Sequence, residues 1–313
     1  MTDKGSACEK LCAEIRSSGV APNAACGFWA QGELALGGET DALFDLASVT
    51  KSFFAVACAR AGLREKVIRD VPLELMLAHR AGFPAHLPLF APLVDGTRVE
   101  VVAAMESAWA SRSGPLPSPP LYSDVGYLLA GDAVAGERVD DFIRSNVPIQ
   151  DVGSARRMDM KRAVPTEHVA WRGGEIRGHV HDENAWALGG DGACGHAGLF
   201  GTIGSVLRFG AFVLDRLLHD AGELDWLIRE REGGTLRAGF DGKSPEGSSA
   251  GTVLGPRSFG HLGFTGTSVW IDPDARVVVA LLTNRVCPTR DNVKIREARP
   301  RVHDALATLA LGS

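Results

Sequence analysis

Apolar residues recur along this chain in two rhythms, and the elements they predict organise the rest of the reading. Between residues 4 and 16, Ala7, Leu11, Cys12 and Ile15 fall at helical spacing, and Ser17-Ser18-Gly19 then breaks the pattern, which predicts an N-terminal helix. Two short apolar runs, 24–29 and 34–36, flank Gln31-Gly32 and predict a β-hairpin. Near the other end, 267–271 and 276–283 are the strongest strand signals. Separated by Asp272-Pro273-Asp274-Ala275, they predict an antiparallel hairpin, and a closing helix is predicted over 301–311.

The intervening stretch is helical and punctuated. Helices are predicted over 72–79, with Pro72 at the first helical position, and over 100–109, 125–134, 140–145 and 203–218. Residues 111–120 carry four prolines and cannot be regular structure, so they form a loop that delivers Tyr122-Ser123-Asp124. Residues 156–183 and 230–258 read as irregular connections, and 189–201 as a glycine-rich crossing. No internal repeat is visible. Strands at both ends with helices between them predict an α/β fold of the α+β kind: an antiparallel sheet flanked by the N- and C-terminal helices. The sheet would be built from 1–61 and 196–313 and interrupted by a mostly helical insert over 62–195, with the active site at their junction.

Composition narrows the classes of function. The 313 residues are 45% hydrophobic, enough for a large core, and the formal charge of −5 without basic runs argues against nucleic acid or an anionic membrane as partner. A small neutral or zwitterionic molecule fits better. No stretch approaches 18 apolar residues and the charged start Met1-Thr2-Asp3-Lys4 lacks the apolar core of a leader, so a cytoplasmic location is expected. Six cysteines without a Cys-x-x-Cys pair suit reduced thiols. Oligomeric state leaves no signal.

The chemistry centres on Leu46-Ala-Ser-Val-Thr-Lys-Ser-Phe-Phe54. Ser48 and Lys51 stand three positions apart at the start of an apolar helical run, so the amine reaches the hydroxyl on one face. A serine is a poor nucleophile unless a neighbour takes its proton, and lysine can do so only with a lowered pKa. The plain alternative is an N-cap serine and a surface lysine. Lysine is scarce, however, with seven in the chain, and no other Ser-x-x-Lys occurs.

Three segments together, Ser48-Val-Thr-Lys51, Tyr122-Ser-Asp124 and His261-Leu-Gly263, resemble the serine β-lactamase and penicillin-binding protein superfamily. The chain is most similar to the branch of class C β-lactamases and related esterases and D-amino-acid peptidases, over about residues 43–284. Supporting stretches are Leu75-Met-Leu-Ala-His-Arg-Ala-Gly82, Gly195-His-Ala-Gly-Leu-Phe-Gly201 and Gly260-His-Leu-Gly-Phe-Thr-Gly-Thr-Ser-Val-Trp270. The resemblance implies a β-lactamase/transpeptidase-like fold and a serine hydrolase that forms an acyl-enzyme at Ser48 without a cofactor. It implies that Lys51 and Tyr122 share the serine proton, with either as base. Backbone N–H groups of Ser48 and Phe264, the latter on an edge strand, would form the oxyanion hole, and Asp124, His261 and Gly263 would contact substrate. Gly263 would let the strand approach substrate without a Cβ collision.

Two departures shape the expected substrate. Asp124 stands where relatives carry asparagine, exchanging a donor amide for an acceptor carboxylate. His261 stands where many carry lysine, with a charge expected to depend on pH near neutrality. Both favour a small ester or amide over a β-lactam. The alternatives are a D-amino-acid peptidase or carboxypeptidase or a weak β-lactamase, and a non-catalytic penicillin-recognising or regulatory protein. Two competing motifs carry less. His179-Val-His181-Asp-Glu183 could seat a metal but lacks a second ligand cluster, so no metal is expected. Gly190-x-Gly192-x-x-Gly195 matches a dinucleotide fingerprint without a preceding strand.

Overall fold

In the computed structural model, which describes residues 4–312, the strand Val277–Thr283 has all seven residues buried. Its side chains alternate between two cores: Val277, Val279 and Leu281 pack on one side, Val278, Ala280 and Leu282 on the other. A strand covered on both faces needs apolar residues at every position, which is why this run gave the strongest β signal. The helices Lys4–Ser17 and Ile295–Leu311 cover one face, and Ile203–His219 covers the other. Gly210 lets that last helix approach closely, since a Cβ there would lie 2.4 Å from Val278.

The sheet is antiparallel and six-stranded, in the order Asp241–Gly242, Phe259–Leu262, Ser268–Asp272, Val277–Thr283, Ala24–Ala30, Glu33–Gly38. Both predicted hairpins are present, and Gln31 and Gly32 turn the first with φ of 53° and 86°. The helices Val101–Ala110, Asp124–Ala135 and Val139–Asn146 fall where the periodicity put them.

Four expectations change. Pro72 precedes its helix, Leu73–Leu77, because it closes the short strand Val71–Pro72 with ψ of 130°. Residues 156–183, read as irregular, contain the hairpin Pro165–Val169 and Gly174–Arg177, whose register shift hides any alternation. The helix Ala221–Ile228 has no counterpart in the reading. The last helix begins at Ile295 rather than 301 and runs through Pro300. Among the described residues no helix is long and apolar enough to cross a membrane; the charged start, Met1 to Asp3, lies outside them.

A smaller sheet positions the serine. The strand Phe44–Asp45 pairs antiparallel with Leu199–Gly201, which also pairs with Val152–Ser154, so the glycine-rich crossing is anchored beside the Ser48 turn.

Candidate active site

Ser48 does not sit on the α-helix that the sequence suggested. It occupies a 3₁₀ turn, Ala47–Val49, that feeds the helix Thr50–Arg60. The turn is strained at Ala47, whose φ of 46° a Cβ-bearing residue rarely adopts. Buried Asp45 stabilises it by accepting the Ala47 N–H at 2.8 Å through one carboxylate oxygen and the His181 N–H at 2.7 Å through the other. The hydroxyls of Thr265 and Thr267 donate to the Asp45 and Leu46 carbonyls at 2.7 and 3.0 Å. These bonds lock the Ser48 turn to the segment that follows His261.

Lys51 is fully buried, yet its amine meets oxygen on every side. Nζ lies 2.9 Å from Ser48 Oγ, 3.0 Å from the His196 carbonyl and 2.6 Å from Asp124 Oδ1. Tyr122 packs against the same amine, its ring centroid 5.1 Å from Nζ, and lines the cavity together with Ser48. Burial is the largest single influence and pulls the lysine pKa down, but Asp124 and Tyr122 together outweigh it and the net shift is upward. The lowered pKa that a lysine base requires is therefore not found. Tyr122 is also shifted up, first by burial and then by Asp124, with Lys51 opposing.

Three further groups surround this centre. His79 packs its ring 4.6 Å from that of Tyr122 and 5.0 Å from that of Tyr127, and burial holds it well below the usual histidine range. His261, 6.0 Å from the Tyr122 ring, is pushed down to about 3 by burial and then by Lys51. It is neutral near pH 7, which corrects the expectation of a charge that titrates there. Its Nδ1 faces the Leu262 carbonyl at 2.8 Å and must donate, leaving Nε2 as acceptor. Asp182 lies 2.9 Å from Nε2 of His196, the residue whose carbonyl receives Lys51, and caps the helix Glu183–Gly189 through the Ala185 N–H. Burial would raise the Asp182 carboxyl, but His196 and that cap bring it below its ordinary value.

Ser48 opens onto a cavity of about 440 Å³ whose wall also includes Tyr122, Asp124, Asp182, Gly263 and Phe264. Phe264 is not on an edge strand. It lies in the turn between Phe259–Leu262 and Ser268–Asp272, and the outermost strand, Asp241–Gly242, pairs only with Phe259 and Gly260. Gly263 is required by the protein itself rather than by a ligand: a Cβ would come within 1.9 Å of Thr267 Oγ1 and 2.6 Å of the Leu46 carbonyl. The structure thus brings Ser48, Lys51, Tyr122, Asp124, His261, Gly263 and Phe264 together.

Several residues at the site gave no sequence signal. Arg285, Arg290, Arg296 and Arg299 line the same cavity. Arg290 is neutralised by Glu167 and Glu183 at 2.7 and 2.5 Å, and Glu167, opposed by burial, is held down to about 2 by His181 and Arg290. The other three arginines form no ion pair among the described residues. His179 and His181 diverge, pairing with Asp191 and Glu167 respectively, each at 2.9 Å. The glycine-rich segment acts as a close crossing, since a Cβ on Gly195 would lie 2.2 Å from the Tyr127 carbonyl.

A serine on a strained turn, a buried lysine at hydrogen-bond distance and a tyrosine beside both form one compact cluster on the cavity wall. Residues 13–303 match the family described as Beta-lactamase, and the chain belongs to that family. It is 27% identical over 249 residues to a protein of Escherichia coli (strain K12) provisionally named a D-alanyl-D-alanine carboxypeptidase, covering 67% of this chain. The chain spans only 56% of that relative's length. In fold it is similar to the D-amino acid amidase of Ochrobactrum anthropi SV3, with a TM-score of 0.70 at 18% identity, covering 97% of this chain and 99% of the other. It is also similar to simvastatin synthase of Aspergillus terreus, with a TM-score of 0.67 at 17% identity, covering 99% and 100%. The mixed architecture is therefore the β-lactamase/transpeptidase-like fold.

Proposed function

We propose that the protein is a serine hydrolase that forms an acyl-enzyme at Ser48 on small esters or amides. The observation that carries this reading is the Ser48 hydroxyl, 2.9 Å from a fully buried lysine at the edge of a 440 Å³ cavity. Ser48 Oγ attacks the carbonyl, and its proton passes into the Lys51–Tyr122 pair and from there to the leaving group. The N–H groups of Ser48 and Phe264 stabilise the tetrahedral oxyanion. Asp124, His261 and Gly263 bound the substrate. Their neutral or acidic character favours uncharged acyl groups.

The test is turnover of p-nitrophenyl acetate by wild type and Ser48→Ala, with mass spectrometry of the Ser48 peptide after a fluorophosphonate. Loss of turnover by at least about a thousand-fold, with the label on Ser48, is expected. Full turnover in the variant refutes the reading.

A second reading, a peptidase whose leaving group bears a carboxylate, is favoured by Arg285, Arg296 and Arg299. They line the cavity without carboxylate partners among the described residues. The name of the Escherichia coli relative agrees with such a leaving group.

A further inference from the structure

Ser48 and Phe264, both on the cavity wall, have backbone N–H groups with no partner among the described residues. Each N–H belongs to a peptide unit whose carbonyl is engaged by the protein. The Ala47 carbonyl accepts the Thr50 N–H. The Gly263 carbonyl accepts the Gly266 N–H at 3.1 Å and Nη2 of Arg299 at 2.7 Å. Neither unit is cis, so within each the C=O and N–H point in opposite directions, and the Phe264 N–H is aimed away from Arg299.

Arg299 is an unusual group to find holding a turn. It reaches in from the helix Ile295–Leu311, is only 8% exposed and faces no carboxylate among the described residues. The same Nη2 donates to the Thr267 carbonyl at 3.0 Å, so it spans both ends of the turn 263–267, while Nε is buried without a partner. Burial and then Arg285 lower its pKa to about 10, which leaves it a guanidinium at neutral pH. A buried cation without a counter-charge is costly, and a neutral donor would serve to hold the turn. What the charge adds is polarisation. A cation at the carbonyl end of a peptide draws electron density onto that oxygen and makes the N–H at the other end a stronger donor.

We infer that Arg299 is a positioning residue of the oxyanion hole: acting through the Gly263 carbonyl, it fixes the direction of the Phe264 N–H and polarises it toward the charge that develops on the substrate oxygen. This rests on the serine-hydrolase reading and deepens it. As Ser48 Oγ bonds to the carbonyl carbon, the C=O electron pair moves onto oxygen, which accepts from the Ser48 and Phe264 N–H groups. Collapse of the intermediate returns the pair to the C=O bond as the leaving group departs. Arg299 lies on the far side of the peptide from that oxygen and exchanges no proton. Arg285 restrains the next unit, donating through Nε to the Phe264 carbonyl at 2.8 Å with its guanidinium 4.5 Å from the Phe264 ring centroid. An anion-binding role for Arg299 would predict the opposite pattern, a loss confined to charged substrates.

The measurement is steady-state turnover of uncharged p-nitrophenyl acetate, together with the inhibition constant of phenylboronic acid, for wild type, Arg299→Met and Arg299→Lys, each checked for a cooperative melt. The boron accepts Ser48 Oγ and becomes a tetrahedral anion, so its affinity reports the oxyanion hole in the charged state. Removing an oxyanion donor outright costs about 10²–10³ in kcat, and misdirecting or depolarising one costs less. Arg299→Met should lower kcat about ten- to hundred-fold, change KM by less than about three-fold, and weaken phenylboronic acid by about the same factor as kcat/KM. Arg299→Lys keeps the charge and a donor and should recover at least about three-fold of both losses. Arg299→Met with kcat within about two-fold of wild type overturns the inference, as does a loss carried in KM alone or one that phenylboronic acid does not share. Should Arg299→Met fail to fold, Arg299→Gln, which also removes the charge, carries the same test with the same limits. Wild type that releases no more p-nitrophenol than Ser48→Ala counts against the serine-hydrolase reading itself, a failure distinct from these.

Discussion

Replacing Arg296 by glutamine tests whether the basic wall of the cavity recognises an anion. Arg285 and Arg299 are almost wholly buried, whereas Arg296 is exposed, and none of the three has a carboxylate partner among the described residues. Their proximity is costly. Burial and then the charges of Arg296 and Arg290 lower the Arg285 pKa, and burial followed by Arg285 lowers Arg299 to about 10. Arg285 donates to the carbonyls of Phe264, Arg290 and Asn292, and Arg299 to those of Gly263 and Thr267, so both also hold the turn that carries Phe264. Truncating either would disturb the Ser48 site. Among the described residues the Arg296 side chain makes no hydrogen bond or ion pair, so its removal perturbs charge alone.

A substrate carboxylate about 4 Å from Arg296 would gain about 1 kcal/mol if the pair were fully solvated and about 4 kcal/mol in a half-buried setting. Arg296 is exposed, so the lower part of that range applies, about 1–2 kcal/mol. This corresponds to a five- to thirty-fold change at roughly 1.4 kcal/mol per decade. The assay compares kcat/KM for 3-carboxyphenyl acetate and phenyl acetate, two esters that differ by one carboxylate on the leaving group. Arg296→Gln should lose about five- to thirty-fold on the first, chiefly in KM, and less than two-fold on the second, with the difference shrinking in high salt. Equal effects on both esters, or none, would refute the reasoning.

Gly195→Ala should destabilise by at least about 2 kcal/mol and depress kcat more than KM, because its Cβ meets the Tyr127 carbonyl at 2.2 Å and relief must displace His196, which holds Lys51; thermal melting and ester kinetics measure both effects. Acidification should weaken the fold below pH 6.5. His79, His261 and His303 are buried neutral, with His261 lowered to about 3 and His303 to about 4, so the unfolded chain binds more protons than the native one between those values and 6.5. His303 alone accounts for roughly 3 kcal/mol, lost progressively as pH falls toward 4, and urea unfolding at pH 7, 5.5 and 4.5 should show the midpoint dropping. Thr267→Val should cost about 1 kcal/mol of stability and lower kcat, since the Leu46 carbonyl beside the Ser48 turn would lose one of its two donors, the hydroxyl at 3.0 Å, and keep only the Val49 N–H; a melt together with ester turnover checks it.

The sheet was legible because its central strands are covered on both faces, so that Val277–Thr283 is apolar at every position but the last, where the Thr283 hydroxyl donates to the Gly266 carbonyl. The Ser48–Lys51 contact was legible as well, since three positions on a helical turn bring the two side chains to one side whether the turn is 3₁₀ or α. Tyr122 and Phe264 came only from resemblance. They approach Ser48 along chain separations of 74 and 216 residues, and nothing local in their segments marks them. The stretch 179–183 shows a different failure. Its histidines suggested metal ligation, yet the chemistry of its side chains went into fixing the site, with Asp182 capping a helix and orienting His196, and His181 paired to Glu167.

The basic wall was hidden by a boundary rule rather than by weak chemistry. A proline inside a helix is disfavoured, and a last helix expected only over 301–311 leaves Arg296 and Arg299 in an unassigned segment. The helix in fact begins at Ile295, and the proline sits inside it, where its missing N–H costs one bond to the Arg296 carbonyl. Starting the helix at Ile295 puts Arg296 and Arg299 three positions apart on a single face, the same spacing that made Ser48 and Lys51 visible. With that face turned toward the cavity, the site has a cationic side that neither Asp124 nor His261 reveals. The loss of a motif lysine at His261 therefore does not by itself exclude anionic substrates, because three arginines from the end of the sheet and the last helix provide the positive charge instead.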